Sequence, residues 1–152
     1  MAAKSPFRRI ALMVDGTDAG LEAARVAIAL ASFGEADLAA ISVVDTATLK
    51  QLLSFKIMVD VETAEYERDL EASASKHLDY IEQLARSAKI KCETILARGD
   101  IGQVLLAELR KRSSDLLVMG GFTASMARLD LLAKAKQTVL DDATCPVMVI
   151  KG

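Results

Sequence analysis

The sequence is poor in the residues from which many enzymes and metalloproteins build their sites. Its 152 residues include no tryptophan, two prolines, two cysteines and one histidine. Cys92 and Cys145 lie far apart and lack CxxC spacing, so neither a disulfide framework nor a zinc site is predicted. His77 lies in a charge-rich helical pattern and is interpreted as a surface residue, far from any serine turn. We therefore expect no catalytic constellation and no metal site.

The sequence also lacks an excess of charge of one sign and any long apolar run. It has 19 basic and 21 acidic residues, a net charge of −2, whereas a dedicated nucleic-acid binder normally carries a basic stripe. No run approaches the roughly 18 apolar residues of a membrane helix. The apolar stretch Ile10–Val14 is too short for a signal peptide. These absences predict a cytoplasmic protein with no nucleic-acid or membrane partner.

The sequence does contain five short apolar runs that alternate with longer helical patterns. The predicted strands are 10–14, 38–44, 90–97, 115–119 and 146–150, and the predicted helices are 19–32, 63–88, 101–112 and 131–141. Strands that alternate with helices pair in parallel through right-handed crossovers. The prediction is one α/β domain over residues 1–152: an open, doubly wound, five-stranded parallel sheet, Rossmann-like, flanked by about four helices. Residues 46–62 fit either a short helix or a hydrophobic flap.

Two turns follow predicted strands where a ligand crevice is expected. In an open α/β sheet, ligands bind beyond the carboxyl ends of the strands where the winding reverses. Asp15–Thr17 follow the first strand, and Gly120-Gly121 follow the fourth. The sequence predicts a crevice between these turns but assigns it no ligand.

Five short motifs, in their order and spacing, resemble the universal stress protein family over nearly the whole chain. They are Val14-Asp15-Gly16-Thr17, Val43-Val44-Asp45, Gly99-Asp100, Asp115–Gly120 and Cys145–Ile150. The resemblance implies that Asp15 contacts the adenine or ribose of a nucleotide and that Val43 and Val44 flank the base. The residues alone also allow another interpretation, in which Asp15 bonds nearby backbone amides in a turn and the valines are strand core.

The loop after the fourth strand departs from the pattern of ATP-binding members, which is G-x-x-G, nine residues, then G-[ST]. Gly120 matches, but Thr123, Ala133 and Lys134 occupy the other three positions, and a frame that begins at Gly121 fits no better. Glycines let the backbone approach phosphates, whereas a β-branched residue disfavours positive φ. Lys134 either contacts a phosphate, lies across the pocket in place of the ligand, or is solvated.

Two functional hypotheses follow from the altered loop. The first is a non-catalytic, stress-related regulatory or interaction protein that does not bind ATP in the usual way and needs no cofactor. The alternative is a sensor of AMP or ATP, or a weak ATPase, that still uses Asp15, Gly120 and Lys134. A third possibility is a small anion bound by Arg128 and Lys134 without recognition of a base.

The resemblance also implies a homodimer through the last strand. That strand comprises Pro146, Val147, Met148, Val149 and Ile150. An unpaired apolar edge strand is an aggregation hazard, and pairing across a two-fold axis closes the assembly. A different stress-protein subunit, paired at the same edge, is the alternative partner.

Overall fold

The computed structural model describes residues 5–122 and 127–151. In chain order the elements are β1 (Arg9–Met13), α1 (Asp18–Gly34), β2 (Asp37–Asp45), α2 (Thr46–Ser54), α3 (Asp60–Ser87), β3 (Cys92–Gly99), α4 (Ile101–Lys111), β4 (Leu116–Gly120), α5 (Ala127–Asp142) and β5 (Val147–Ile150). Within the described residues, no helix is both long enough and apolar enough to cross a membrane.

The five strands form one parallel sheet in the order β3-β2-β1-β4-β5. From β1 the chain winds outward to β3, then returns to β4 beside β1 and winds outward to β5. The winding therefore reverses between β1 and β4. The predicted fold class, an open, doubly wound, parallel α/β sheet, is confirmed.

Apolar clusters cover both faces of the sheet. On one face, α1 and α3 contribute buried residues such as Ala27 and Leu78, which pack with Leu12 of β1. On the other face, α4 and α5 contribute Leu105 and Val139. All of β4 is buried, as expected for a central strand covered on both sides.

Three helices that begin at the carboxyl edge of the sheet have side-chain caps. The Gly20 amide donates to Thr17 Oγ1 over 3.0 Å at the start of α1. At α2 the Thr48 amide donates to Asp45 Oδ1 over 3.0 Å, and at α4 the Gln103 amide donates to Asp100 Oδ2 over 3.0 Å. Each cap satisfies a backbone donor that the helix itself leaves unpaired.

The element boundaries differ from the predictions in several places. Residues 46–62 contain α2 and the start of α3, so the described residues hold five helices rather than about four. α3 begins at Asp60 instead of residue 63, and α5 begins at Ala127 instead of 131. β3 spans Cys92–Gly99 instead of 90–97, because Ile90 donates its amide to Ala85 in the turn that ends α3.

The two edges of the sheet carry different side chains. At the β3 edge, Arg112 contacts Glu93 at 2.6 Å, and Arg98 contacts Glu71 of α3 at 2.7 Å. The Arg112 hydrogen bonds lower the pKa of the Glu93 carboxyl. The β5 edge is apolar, and its Val149 is 37% exposed. The β3 edge is therefore lined with ion pairs, whereas the β5 edge presents aliphatic side chains.

Candidate functional site

A cavity of about 720 Å³ lies beyond the carboxyl ends of β1 and β2. Its walls are the ends of these strands, α2, the part of α3 between Tyr66 and His77, Ile101 at the start of α4, and Leu131 and Leu132 of α5. The predicted crevice lay between the turns after β1 and β4. Among the described residues, those of the β4 turn do not line the cavity, which extends toward β2 instead.

The junction between β1 and β4 is filled by close backbone packing. A Cβ atom on Gly120 would lie 2.5 Å from the Gly20 amide nitrogen of α1 and 2.6 Å from the Ala19 carbonyl carbon. Gly121 donates its amide to the Ile150 carbonyl over 2.8 Å. Gly120 thus allows the chain to pack closely against α1, and Gly121 continues the backbone pairing with β5.

Asp15 lies at the end of β1 and its side chain is only 1% exposed. Its Oδ1 accepts hydrogen bonds from the Thr17 amide at 2.9 Å and the Thr17 hydroxyl at 2.6 Å. Gly16 supplies the turn with a φ of 76°, a value that glycine adopts without steric cost. Both features agree with the interpretation of Asp15 as a turn residue.

The second carboxylate oxygen of Asp15 faces Lys136 of α5. Lys136 Nζ lies 2.8 Å from Asp15 Oδ2, and the lysine side chain is only 3% exposed. The same ammonium donates a hydrogen bond to the Gly121 carbonyl over 3.1 Å. Among the described residues Oδ2 has no aligned hydrogen-bond partner, so the contact with Lys136 is a charge pair at short range. The pair joins β1, the β4 turn and α5 in the interior.

Sequence reasoning selected Lys134 and missed Lys136. Lys134 is exposed, and Ala133 is half-buried. A signal for Lys136 was present, because Leu132, Lys136 and Val139 are spaced by four and three residues and so share one helix face. A lysine in an apolar stripe indicates a buried charge that needs a partner.

The Val43-Val44-Asp45 motif borders the cavity. Val44 is buried, Val43 is half-buried against the core beneath α4 and α5, and both line the cavity. Asp45 accepts from the Thr48 amide and, over 2.7 Å, from the Thr48 hydroxyl. The valines therefore belong to both the strand core and the cavity wall.

His77 is not the solvated surface residue that the sequence suggested. It is half-buried and lines the cavity, and a Cβ atom on Gly16 would lie 2.7 Å from its Cε1. Its spacing of three residues from Ala74 and one from Leu78 places it beside the buried stripe of α3. The ring packs against the β1 turn, and the described residues provide no cluster of three metal-ligating side chains.

The remaining predicted residues lie at the margins of the cavity or outside it. Thr123 and the side chain of Arg128 fall outside the described residues. Phe122 is 48% exposed and does not fill the cavity. Burial raises the pKa of the Cys92 thiol to about 11 and also raises that of Cys145, so both thiols are largely protonated at neutral pH.

The sequence matches a family model and named relatives. The model described as "Universal stress protein family" matches residues 6–151. Universal stress protein MJ0531 of Methanocaldococcus jannaschii is 27% identical over 148 residues, which are 95% of this chain and 82% of that protein. Universal stress protein YxiE of Bacillus subtilis is 23% identical over 95% of this chain and 99% of its own length.

Solved structures of similar fold cover nearly the whole chain. Universal stress protein UspA from Lactobacillus plantarum superposes with a TM-score of 0.76 at 22% identity, covering 98% of this chain and 99% of its own. A universal stress protein in complex with cAMP gives 0.70 at 18% identity, with coverage of 97% and 98%. One from Archaeoglobus fulgidus in complex with dAMP gives 0.67 at 16% identity, with coverage of 95% and 98%. With the family model matched from residue 6 to residue 151, the chain belongs to the universal stress protein family.

Proposed function

We propose that this chain is a non-catalytic, cytoplasmic regulatory protein that does not bind ATP in the usual way. The observation that carries the proposal is the buried pair between Asp15 and Lys136, 2.8 Å apart. By resemblance, Asp15 is the residue that contacts the nucleoside in ATP-binding members. In this chain both of its carboxylate oxygens are engaged within the protein itself.

The cost of releasing Asp15 supports the proposal. Removing one partner from a buried ion pair costs about 3–5 kcal/mol, because the other charge stays buried without compensation. A nucleotide that bound Asp15 in place of Lys136 would separate the ion pair. The Lys136 ammonium would then keep the Gly121 carbonyl as its only hydrogen-bond acceptor in the described structure. Binding energy would have to offset that loss before any net affinity appeared.

The cavity groups also favour a regulatory over a catalytic role. A general base needs a positioned proton acceptor and an orienting partner. His77 packs against Gly16, and the neighbouring Asp15 carboxylate is held by Thr17 and Lys136. The Asp15 carboxylate is therefore not free to orient the His77 imidazole as a catalytic partner would.

We further propose that the protein acts as a homodimer through β5. This strand lies at the edge of the sheet and pairs with β4 on one side. Its open side presents backbone donors and acceptors together with the partly exposed Val149, which is the arrangement that strand addition uses. A related subunit that pairs at the same edge would give a heterodimer instead.

Calorimetric titration of freshly purified protein with ATP and ADP tests the proposal. Native mass spectrometry first shows whether any nucleotide co-purifies. We expect no bound ATP and no binding heat from the wild type. Lys136→Met should release Asp15 and allow measurable binding, whereas Lys134→Met removes an exposed lysine two residues away and should change nothing. ATP binding to the wild type with a Kd below about 100 μM, about −5.5 kcal/mol, would refute the proposal.

A second function, sensing of a small nucleotide, is supported by the size of the cavity. About 720 Å³ lies within the range of small-molecule sites, and two structures of similar fold were solved with cAMP and dAMP. In this case Asp15 would remain paired with Lys136, and the base would enter beside Val43 and Val44. Calorimetric titration with AMP distinguishes the two functions. Saturable binding heat with a stoichiometry of one AMP per chain would favour this second function over the first.

A further inference from the structure

We infer that the cavity beside β1 and β2 binds an uncharged small molecule with a ring-sized apolar body and a hydrogen-bonding group. The inference rests on the proposed function, because it concerns the same cavity with Asp15 held by Lys136. It assigns that cavity a ligand class different from a nucleotide phosphate. Its apolar walls, the capped helix ends around it and the Ser42 side chain favour such a ligand.

The walls of the cavity are mainly aliphatic. Side chains from six elements contribute, among them Met13, Ile41, Leu49, Leu52, Leu70 and Ile101. Met58, which follows α2, lies at the same wall, and a thioether side chain adapts to irregular ligand shapes. Such walls stabilise an apolar body by removing its surface from water.

The charged groups on the walls disfavour an anion. Among the described residues, the lining includes two carboxylates, Asp15 and Asp45, and neither lysine nor arginine. Lys136 compensates the charge of Asp15. Asp45 is bonded by uncharged donors of Thr48, so its negative charge remains at the cavity wall. A phosphate or sulfonate at this wall would meet repulsion without a described cation to offset it.

The helix ends near the cavity are already complemented by side chains. Helix N-termini attract phosphates because their amides are unpaired and their dipoles are positive there. At α2 and α4 the carboxylates of Asp45 and Asp100 each accept a hydrogen bond from one of these amides. At α1 the Thr17 hydroxyl accepts from Gly20 and donates to Asp15. The chain thus supplies three of its own acceptors where an anionic ligand would bind.

A serine in the cavity wall offers a hydrogen-bonding group to a ligand. Ser42 of β2 lines the cavity and is 6% exposed. No side-chain hydrogen bond within the described ranges, 5–122 and 127–151, involves its hydroxyl. A serine hydroxyl can both donate and accept a hydrogen bond. A ligand with a matching donor or acceptor would bond to Ser42 and so be oriented between the apolar walls.

Two dyes with the same aromatic scaffold and different charge test the inference. N-phenyl-1-naphthylamine is uncharged and carries one N–H donor, and 8-anilino-1-naphthalenesulfonate adds a sulfonate. We expect the neutral dye to bind one-to-one with a blue-shifted emission. The sulfonate should bind at least about tenfold more weakly because of the Asp45 carboxylate. Equal or tighter binding of the sulfonate would overturn the inference.

Matched tryptophan substitutions on α3 locate the dye. Ser73 is exposed at the rim of the cavity, and Ser87 is exposed near the end of the same helix, outside the cavity. Ser73→Trp should lower the affinity of the neutral dye at least about fivefold by occupying the cavity, and Ser87→Trp should leave it unchanged. If both variants bind the dye as the wild type does, the dye lies elsewhere and the inference fails.

Removing one negative charge tests the electrostatic step separately. Asp45→Asn keeps an N-cap acceptor for α2 and should raise the affinity of the sulfonate by a factor of about three or more. The ratio of the neutral-dye affinity to the sulfonate affinity should therefore fall. An unchanged preference for the neutral dye in Asp45→Asn would overturn the assignment of that preference to Asp45.

A titration of the same samples with ATP separates this inference from the proposed function. If neither ATP nor the neutral dye binds, the proposed function stands and the inference fails. If ATP binds and displaces the dye, the proposed function fails. Dye binding without ATP binding supports both.

Discussion

At the scale of single residues, the pair formed by Asp15 and Lys136 distinguishes this chain from a general α/β scaffold. The motif around Asp15 is visible in the sequence, and both of its interpretations follow from the residue type. Which side chain would meet Asp15 was not predicted, because Lys136 is 121 positions away and reaches the carboxylate only once α5 packs on the sheet. The apolar stripe of α5 contains enough information to predict that Lys136 is buried, but it does not identify the partner of Lys136.

Lys136→Met is expected to destabilise the protein by about 3 kcal/mol at pH 7, because the buried Asp15 carboxylate loses its counter-charge. Asp15→Asn combined with Lys136→Met removes both charges and should recover much of that loss. Urea denaturation followed by circular dichroism gives the free energies of unfolding. The control Lys134→Met removes an exposed lysine of the same helix. If Lys136→Met unfolds with the wild-type free energy, the pair has no structural role.

At the scale of helices and strands, the alternation of the two element types was predictable from the sequence, but the residues at which each element begins and ends were not. The strands are apolar and short, so their number and parallel pairing followed from the pattern. Residues 46–62 were ambiguous because Phe55 and Ile57 are exposed while Leu49 is buried, which gives no single helical or strand period. The Asp45 cap fixes where α2 begins, but a cap residue is decisive only once the helix is known.

Arg112 is expected to stabilise the junction of α4 and β3 in a pH-dependent way. Its hydrogen bonds lower the pKa of Glu93 from 4.5. The pair therefore contributes its full share of the free energy of unfolding above about pH 4.5. The contribution is lost as the pH falls through the lowered pKa of the folded state. Arg112→Gln should cost about 1 kcal/mol or less at pH 7, because Glu93 is largely exposed.

Urea denaturation at pH 7 and at pH 3 measures this effect. The difference between Arg112→Gln and the wild type should shrink at the lower pH. Arg110→Gln removes the same charge two residues away, at an exposed position of α4, and serves as the control. A difference that grows as the pH falls would contradict the assigned role of Glu93.

At the scale of the whole molecule, the fold predicted from the alternation of elements is confirmed, and the family follows from the matched model. The location of the cavity was predicted only in part. The winding reversal pointed to the β1–β4 junction, but Gly120 allows α1 to approach so closely that this junction is filled. Close packing of this kind depends on tertiary structure and leaves no periodic trace in the sequence.

Val149→Lys tests the proposed dimer. Val149 is partly exposed on the edge strand, and a lysine there should yield monomer or precipitate, since charged side chains on edge strands oppose pairing. Light scattering with size-exclusion chromatography measures the mass. Lys151→Ala, beyond the end of the strand, is the control and should leave a dimer. An unchanged dimer in Val149→Lys would exclude this interface.

The unequal edges of the sheet also bear on how far assembly proceeds. The β3 edge carries the ion pairs of Glu93 and Arg98, and charged side chains on an edge oppose the addition of another strand. A subunit in which one sheet edge accepts a further strand can pair with one other copy of the chain. Growth that begins at β5 would therefore terminate at two copies, whereas two receptive edges would permit an open fibril.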